Sequence, residues 1–220
     1  MALSQKASEC NNRVIEAATH LFARHGYRGT STREIARLAE ISENTLFRHF
    51  EHKEDIFWST LAANLNGLRI RKELLDGMNR GDEPEIVLPQ ILALFVDTVT
   101  FRPQLVSLIA VGFIEHRGKA QAICHEHLSP IFGVFHGYLV KNIESGRIRD
   151  MDPRMIASAL AITGMIHPEM SRLITGMFPP QTDIRAAVRG YSKFWLDVLV
   201  PNTLGTARPA VDTASLLSTD

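Results

Sequence analysis

The sequence predicts an all-α fold, and three observations carry that prediction. Apolar residues recur at helical spacing along most of the 220 residues, no run of alternating β-branched residues reaches strand length, and Gly-, Pro- and Asp-containing breaks punctuate the chain. With 45% hydrophobic and 22% charged residues, the chain has the composition of a globular protein that can bury a sizeable core. No uninterrupted apolar run reaches the roughly 18 residues that suggest a membrane span. The N-terminal "MALSQKASECNNR" has no apolar segment after positive charge, so a cytoplasmic protein without a membrane partner is expected. Cys10 and Cys124 form no C-x-x-C unit and are expected to be reduced thiols.

Each element has its own signal. Val14, Ala18, Leu21 and Phe22 repeat at helical spacing and Gly26 suits the left-handed position after a helix end, so the first helix spans roughly Ser8 to His25. Ser31 and Glu34 fit a capping box, in which each side chain satisfies an orphan backbone N–H, and the second helix that starts there is expected to bury Ile35, Leu38 and Ala39. After the turn "EIS", Ser42 caps a third helix on which Leu46 and Phe50 stack four apart. A fourth helix resumes in "EHKEDIFWSTLAANLNGL" with Ile56, Leu61 and Leu65. Residues 1–55 are expected to form one module.

Further on, "RGDEP", "ESGRIRDMDP" and "GMFPPQTD" break the chain into helices at about Pro84 to Thr100, Pro103 to His116, Lys119 to Ser145, Pro153 to Thr175 and Thr182 to Leu199. Asp152 and Asp183 are the expected N-caps of the last two. Residues 56–200 form a second helical module, and the tail at 201–220, which lacks sustained periodicity, is expected to fray or be disordered.

Two short helices with a tight turn, braced by a preceding helix, form a helix-turn-helix, whose second helix can lie in the DNA major groove. The formal net charge is zero, and residues 1–55 hold eight Lys/Arg against eight Asp/Glu, so a phosphate-facing surface must be local. From Arg24 to Lys53 the balance is six basic to four acidic. With Leu46 and Phe50 turned inward, Glu43, Asn44, Thr45, Phe47, Arg48 and His49 remain at the start or on the outer face of the third helix. Arg48 can bond guanine O6 and N7, Asn44 can pair with adenine, and Thr45 or Phe47 can touch a thymine methyl. Thr32, His49 and Lys53, with Arg33 beside Thr32, are the expected backbone contacts, which set register without reading sequence.

The stretch "FARHGYRGTSTREIARLAEISENTLFRHFEHKEDIF" resembles the N-terminal DNA-binding domain of TetR/AcrR-family transcriptional regulators. The resemblance is contiguous from about Val14 to Phe57; beyond Leu61 only the helical layout and approximate length agree. Glu40 stands where the family usually has Gly, and Phe47 where it usually has Tyr. Glu40 is therefore expected to adopt a left-handed or adjusted backbone. Phe47 keeps the ring and loses the hydroxyl that family members can direct to DNA.

The resemblance implies a C-terminal helical domain that binds a small molecule and dimerises through its last two helices. A twofold dimer spaces two reading helices one DNA turn apart, which calls for a palindromic double-stranded operator. Ile184, Val188, Tyr191, Trp195 and Val198 form a regular stripe on the last helix and are the expected dimer interface, with Ile156, Leu160, Thr163 and Ile166 on the helix before. Gly112, Gly133, Gly137 and Gly164 lie inside helical patterns, where each costs about 1 kcal/mol relative to Ala, so close packing or a ligand cavity is expected there. Pro168 displaces the carbonyl of Gly164 near Met165 and His167. Phe95, Phe113, Phe132, Phe135, His136, Met165 and His167 are the candidate lining of a pocket for an apolar or aromatic effector.

In "CHEH", Cys124 and His127 share a helical face while His125 points elsewhere, and no second ligand group has matching spacing, so neither a metal nor a cofactor is expected. Gly-rich phosphate loops, H-E-x-x-H, G-x-S-x-G and well-spaced carboxylate pairs are absent from the sequence, so an enzyme is not expected. The function expected is that of a repressor released from its operator by an effector. A DNA-binding regulator without effector, a metal sensor and a helical enzyme are the alternatives.

Overall fold

The computed structural model describes residues 2–68, 70–174 and 184–201. Among them every regular element is a helix: α1 (Ala2–His25), α2 (Thr32–Leu38), α3 (Glu43–His49), α4 (Lys53–Asn66), α5 (Lys72–Arg80), α6 (Pro84–Phe101), α7 (Pro103–Glu144), α8 (Pro153–Ile174) and α9 (Ile184–Leu199). The expected cap Asp183, the side chains of Ile166, His167, Pro168 and Ile184, and the tail after Pro201 lie outside the described residues. Two compact units divide the chain: Met1–Arg69 with Pro103–Ser129, and Ile70–Arg102 with Pro130–Asp220.

The first unit is built as the local signals require. The Ser31 hydroxyl accepts the Glu34 N–H at 3.2 Å while the Glu34 carboxylate accepts the Ser31 N–H at 2.9 Å, so both orphan donors at the start of α2 are satisfied. Ile35, Ala36 and Ala39 are buried, but Leu38 is 44% exposed, contrary to expectation. The buried face of this two-turn helix is centred on Ala39, and a step of about 100° per residue turns Leu38 to its edge.

The packing unit extends beyond residue 55. Ile56, Phe57, Trp58, Leu61 and Leu65 of α4 share one core with Phe22, Ile35 and Leu46, and Leu105, Leu108 and Ala120 of α7 complete it. Gly112 is a packing glycine: a Cβ there would lie 3.3 Å from both Ala120 Cβ and Trp58 Cζ3. The expected break between residues 116 and 119 survives as a kink at His116, whose φ of −154° and ψ of 83° are not helical.

In the second unit, α6 is long and apolar enough to cross a membrane by composition, but half of it is buried inside the protein. Its Leu88 and Ile91 join Tyr138, Leu139, Ile156 and Leu160 in the second core, which accounts for its apolarity. α8 lies directly on α6 at Gly164, where a Cβ would come 2.5 Å from Phe95 Cβ. Gly133 and Gly137 differ, for a Cβ at either meets no described atom within 4 Å. Asp152 caps α8 as expected, its carboxylate accepting the Arg154 N–H at 2.8 Å. α5 was not expected: Leu74 and Met78 bury one side of it, while Gly77 and the polar Asp76, Asn79 and Arg80 mask the period.

Candidate nucleic-acid interface

The third helix is anchored from one side and open on the other. Leu46 is fully buried and Phe50 8% exposed, while Asn44, Phe47, Arg48 and His49 are exposed. Ser42 caps α3 by accepting the Thr45 N–H at 3.0 Å, and the two hydroxyls lie 2.9 Å apart, which turns the half-buried Thr45 toward its own cap. Glu43 opens α3 and Arg48 and His49 close it, a distribution that complements the helix dipole.

The turn between α2 and α3 carries a strained residue. Glu40 has a φ of +54° and is the one non-glycine residue with positive φ among the described residues. Its N–H donates to Arg37 O at 3.3 Å and the Ile41 N–H donates to Ala36 O at 3.0 Å, the bond pair of a Schellman cap, whose left-handed position usually holds Gly. The expectation from the Gly-to-Glu departure is met here.

Three candidate contacts have their polar atoms already engaged. Thr32 Oγ1 donates to Glu43 Oε1 at 2.9 Å, joining the first residues of α2 and α3. Lys53 Nζ turns back into its own unit, donating to Tyr27 O and Thr30 O at 3.0 Å each and lying 4.3 Å from the Tyr27 ring centroid. Arg33 stays exposed beside Thr32. The Glu34 carboxyl is held below its ordinary range by its hydrogen bonds from the Ser31 side chain and backbone, so it is ionised and committed to the cap.

Sequence reasoning missed a charged bracket within this unit. Glu54 Oε1 accepts from Trp58 Nε1 at 2.8 Å and from Lys119 Nζ at 3.0 Å, and these two bonds, Trp58 first, hold its carboxyl below the usual range. Arg28 pairs with Glu115 at 3.4 Å. The residues are 65 and 87 positions apart (119 − 54 and 115 − 28), so no local pattern could reveal the pairings.

The second unit redistributes the remaining candidates. Phe95 and Phe132 stack with ring centroids 6.4 Å apart, His136 and Met165 are half-buried, and Phe135 is buried in the core. Phe113 belongs to the first unit, where it is exposed, and His167 lies outside the described side chains.

The expected dimer stripe is largely an intrachain surface. Val188 is fully buried with Ala93 and Val96, Trp195 and Val198 pack on the second core, and Trp195 Nε1 donates to Thr163 Oγ1 at 3.3 Å. Tyr191 is half-buried, and burial pushes its phenol up. Among the described residues, the large apolar side chains left outward on α8 and α9 are Met155, Ile162 and Phe194, which are 66%, 57% and 57% exposed. Cys124 and His127 are half-buried and His125 exposed, and burial pushes the Cys124 thiol up.

Residues 14–59 match the family described as bacterial regulatory proteins, tetR family. The chain is similar to the uncharacterized HTH-type transcriptional regulator YvkB of Bacillus subtilis, 26% identical over 159 residues that cover 62% of this chain and 84% of the relative. It is also similar to the HTH-type transcriptional repressor NicS of Pseudomonas putida, 25% identical over 153 residues, 67% and 68% of the two chains. The fold is shared with the transcriptional regulator FadR from Bacillus subtilis, solved in complex with stearoyl-CoA, at a TM-score of 0.62 and 18% identity over 86% of this chain and 96% of that one. A capped helix-turn-helix whose second helix is open on its outer face fills the segment that matches the tetR family, so residues 14–59 carry that family's N-terminal domain, and the chain as a whole shares the helical fold of a solved transcriptional regulator.

Proposed function

We propose that the protein is a cytoplasmic homodimeric repressor that binds a palindromic operator and releases it when a small apolar or aromatic effector enters its C-terminal domain. The open face of α3 carries the reading: Arg48 and Asn44 have the donors and acceptors that distinguish base pairs in the major groove, and they are exposed on a helix fixed by Leu46. In this reading residues 1–55 hold the DNA contacts, and 56–200 bind effector and partner copy.

Dimerisation is assigned to the outward faces of α8 and α9. Met155, Ile162 and Phe194 offer apolar surface that a second copy can cover, and a twofold pair suits a palindrome. The effector is assigned to the surroundings of Phe95 and Phe132, with Gly133 and Gly137 leaving room and His136 able to supply a hydrogen bond. Repression is supported by the similarity to the repressor NicS, and an apolar effector by the stearoyl-CoA held by FadR. Linkage requires the effector to prefer the state that does not bind DNA, and a tenfold loss of operator affinity needs about 1.4 kcal/mol of differential binding.

Genomic fragments retained by the purified protein are sequenced and footprinted, then challenged with acyl-CoA thioesters, free fatty acids and aromatic acids. A palindromic footprint released by one of these classes is expected. Protection of a single asymmetric half-site removes the dimeric reading, and a footprint that no compound disturbs favours a regulator without effector.

A further inference from the structure

We infer that Lys53 is a positioning residue for DNA recognition: its ammonium clamps the loop between α1 and α2 and does not anchor a phosphate. An ammonium has three N–H donors. Here two are taken by the carbonyls of Tyr27 and Thr30, at 3.0 Å each, and the charge lies over the Tyr27 ring at 4.3 Å. Lys53 is half-buried, so the charge gives up part of its hydration for these partners.

Its place in the helix supports the same reading. Lys53 is the first residue of α4, where the helix dipole disfavours a cation and where Glu54 and Asp55 supply the favoured anions. A lysine there gains nothing from its own helix and gains a great deal from the loop it reaches. Around the clamp, Thr30 Oγ1 donates to Gly26 O at 2.9 Å, the Tyr27 ring packs on Phe22 and Phe57, and the exposed Arg28 pairs with Glu115 at 3.4 Å. The chain leaves the loop at Ser31, the cap of α2, and passes to Thr32, whose hydroxyl holds Glu43 at the start of α3. Lys53 therefore acts on the reading helix through the loop, the α2 cap and the Thr32–Glu43 bond.

The inference rests on the groove-reading role of α3, and the experiment separates the two. In the wild-type protein without DNA, ¹H–¹⁵N spectra of the lysine ammonium groups are expected to show Lys53 protons exchanging with water much more slowly than those of exposed Lys72 and Lys193. Exchange as fast as theirs overturns the clamp, and this measurement needs no variant to fold. Lys53→Met keeps the apolar stem and removes the donors. At a temperature where denaturation shows it still folded, it is expected to bind an operator duplex selected in vitro about tenfold more weakly at every site variant, with shifted amide resonances at residues 26–32. The slope of log affinity against log salt is expected to stay that of wild type, because no phosphate contact is lost. A slope lowered by about 1 per subunit identifies a phosphate anchor and overturns the inference. So does unchanged affinity in the folded variant, which leaves Lys53 a purely structural residue. Wild-type protein that binds no duplex defeats the role of α3, while the exchange measurement still decides the clamp.

Discussion

The hydroxyl of Thr32 donates to the carboxylate of Glu43 at 2.9 Å, so the first residues of α2 and α3 are tied directly, 11 positions apart in sequence. If α3 reads the major groove as proposed, this bond sets the angle at which it enters. Thr32→Val and Glu43→Ala are each expected to weaken operator binding by about 1 kcal/mol, and the double variant by no more than the larger single effect. Additive losses in this double-mutant cycle would mean that the two residues touch DNA independently.

Arg48 and Arg33 are expected to fail in different ways. Arg48→Ala should cost about 1–3 kcal/mol and relax preference at one base pair, because a bidentate contact to a base edge is lost. Arg33→Ala should weaken all sites equally and lower the salt slope by about 1 per subunit. Titrations of an operator library at three salt concentrations check both; identical signatures would remove the division into reader and anchor.

At Glu40 the left-handed backbone costs a side-chain-bearing residue about 1–2 kcal/mol, part of which glycine returns as extra freedom in the unfolded chain. Glu40→Gly is expected to stabilise the protein by up to about 1 kcal/mol in urea denaturation. Glu40→Val, with a branched Cβ at the same φ, should destabilise it by more than that. A loss on going to Gly would show that the Glu40 side chain itself holds the turn.

Phe194→Asp and Val188→Asp separate the outward face of α9 from its inward one. The first places a charge on an exposed apolar face and is expected to give folded monomers by light scattering at micromolar concentration. The second places it in a fully buried position beside Ala93 and Val96 and should unfold the domain, as lost circular dichroism would report. A Phe194→Asp protein that stays dimeric moves the interface away from this face.

Tyr138 makes the second unit sensitive to alkali. Its hydroxyl donates to Asp82 O at 2.8 Å, and burial above all drives the phenol far above its ordinary range, with Arg147 opposing and Glu83 reinforcing the shift. A phenol whose folded value is raised contributes stability that is complete below the unfolded value of about 10 and is lost as pH rises above it. Tyr138→Phe is expected to cost about 1 kcal/mol at neutral pH and to flatten the decline of stability above pH about 10. A decline as steep as that of wild type would trace it to Tyr27 and Tyr191, whose phenols are also raised.

The legible part of this protein was local. Capping boxes, C-cap turns and 3.6-residue periods act over a few residues, so Ser31 with Glu34, Ser42, Gly26 and Asp152 marked helix ends that the structure keeps. The strained Glu40 was legible only through the resemblance, which puts Gly at this turn position; the structure supplies the reason, a Schellman cap that demands a left-handed residue whatever occupies it. The exposed outer face of α3 followed from Leu46 and Phe50 alone.

What the tertiary structure decided was which partner each side chain met. On α9 the period marks an apolar stripe, but only packing against α6 shows that Val188 is spent inside while Phe194 faces out. Gly112 and Gly164 touch neighbouring helices, whereas Gly133 and Gly137 meet no described atom; all four look alike in sequence. Lys53 carries the same charge whether it faces a phosphate or two carbonyls, and those carbonyls lie 26 and 23 residues upstream. Periodicity constrains a residue's angle about its own helix axis. The contacts it makes depend on where the other helices lie, which the chain settles only by packing all its cores at once.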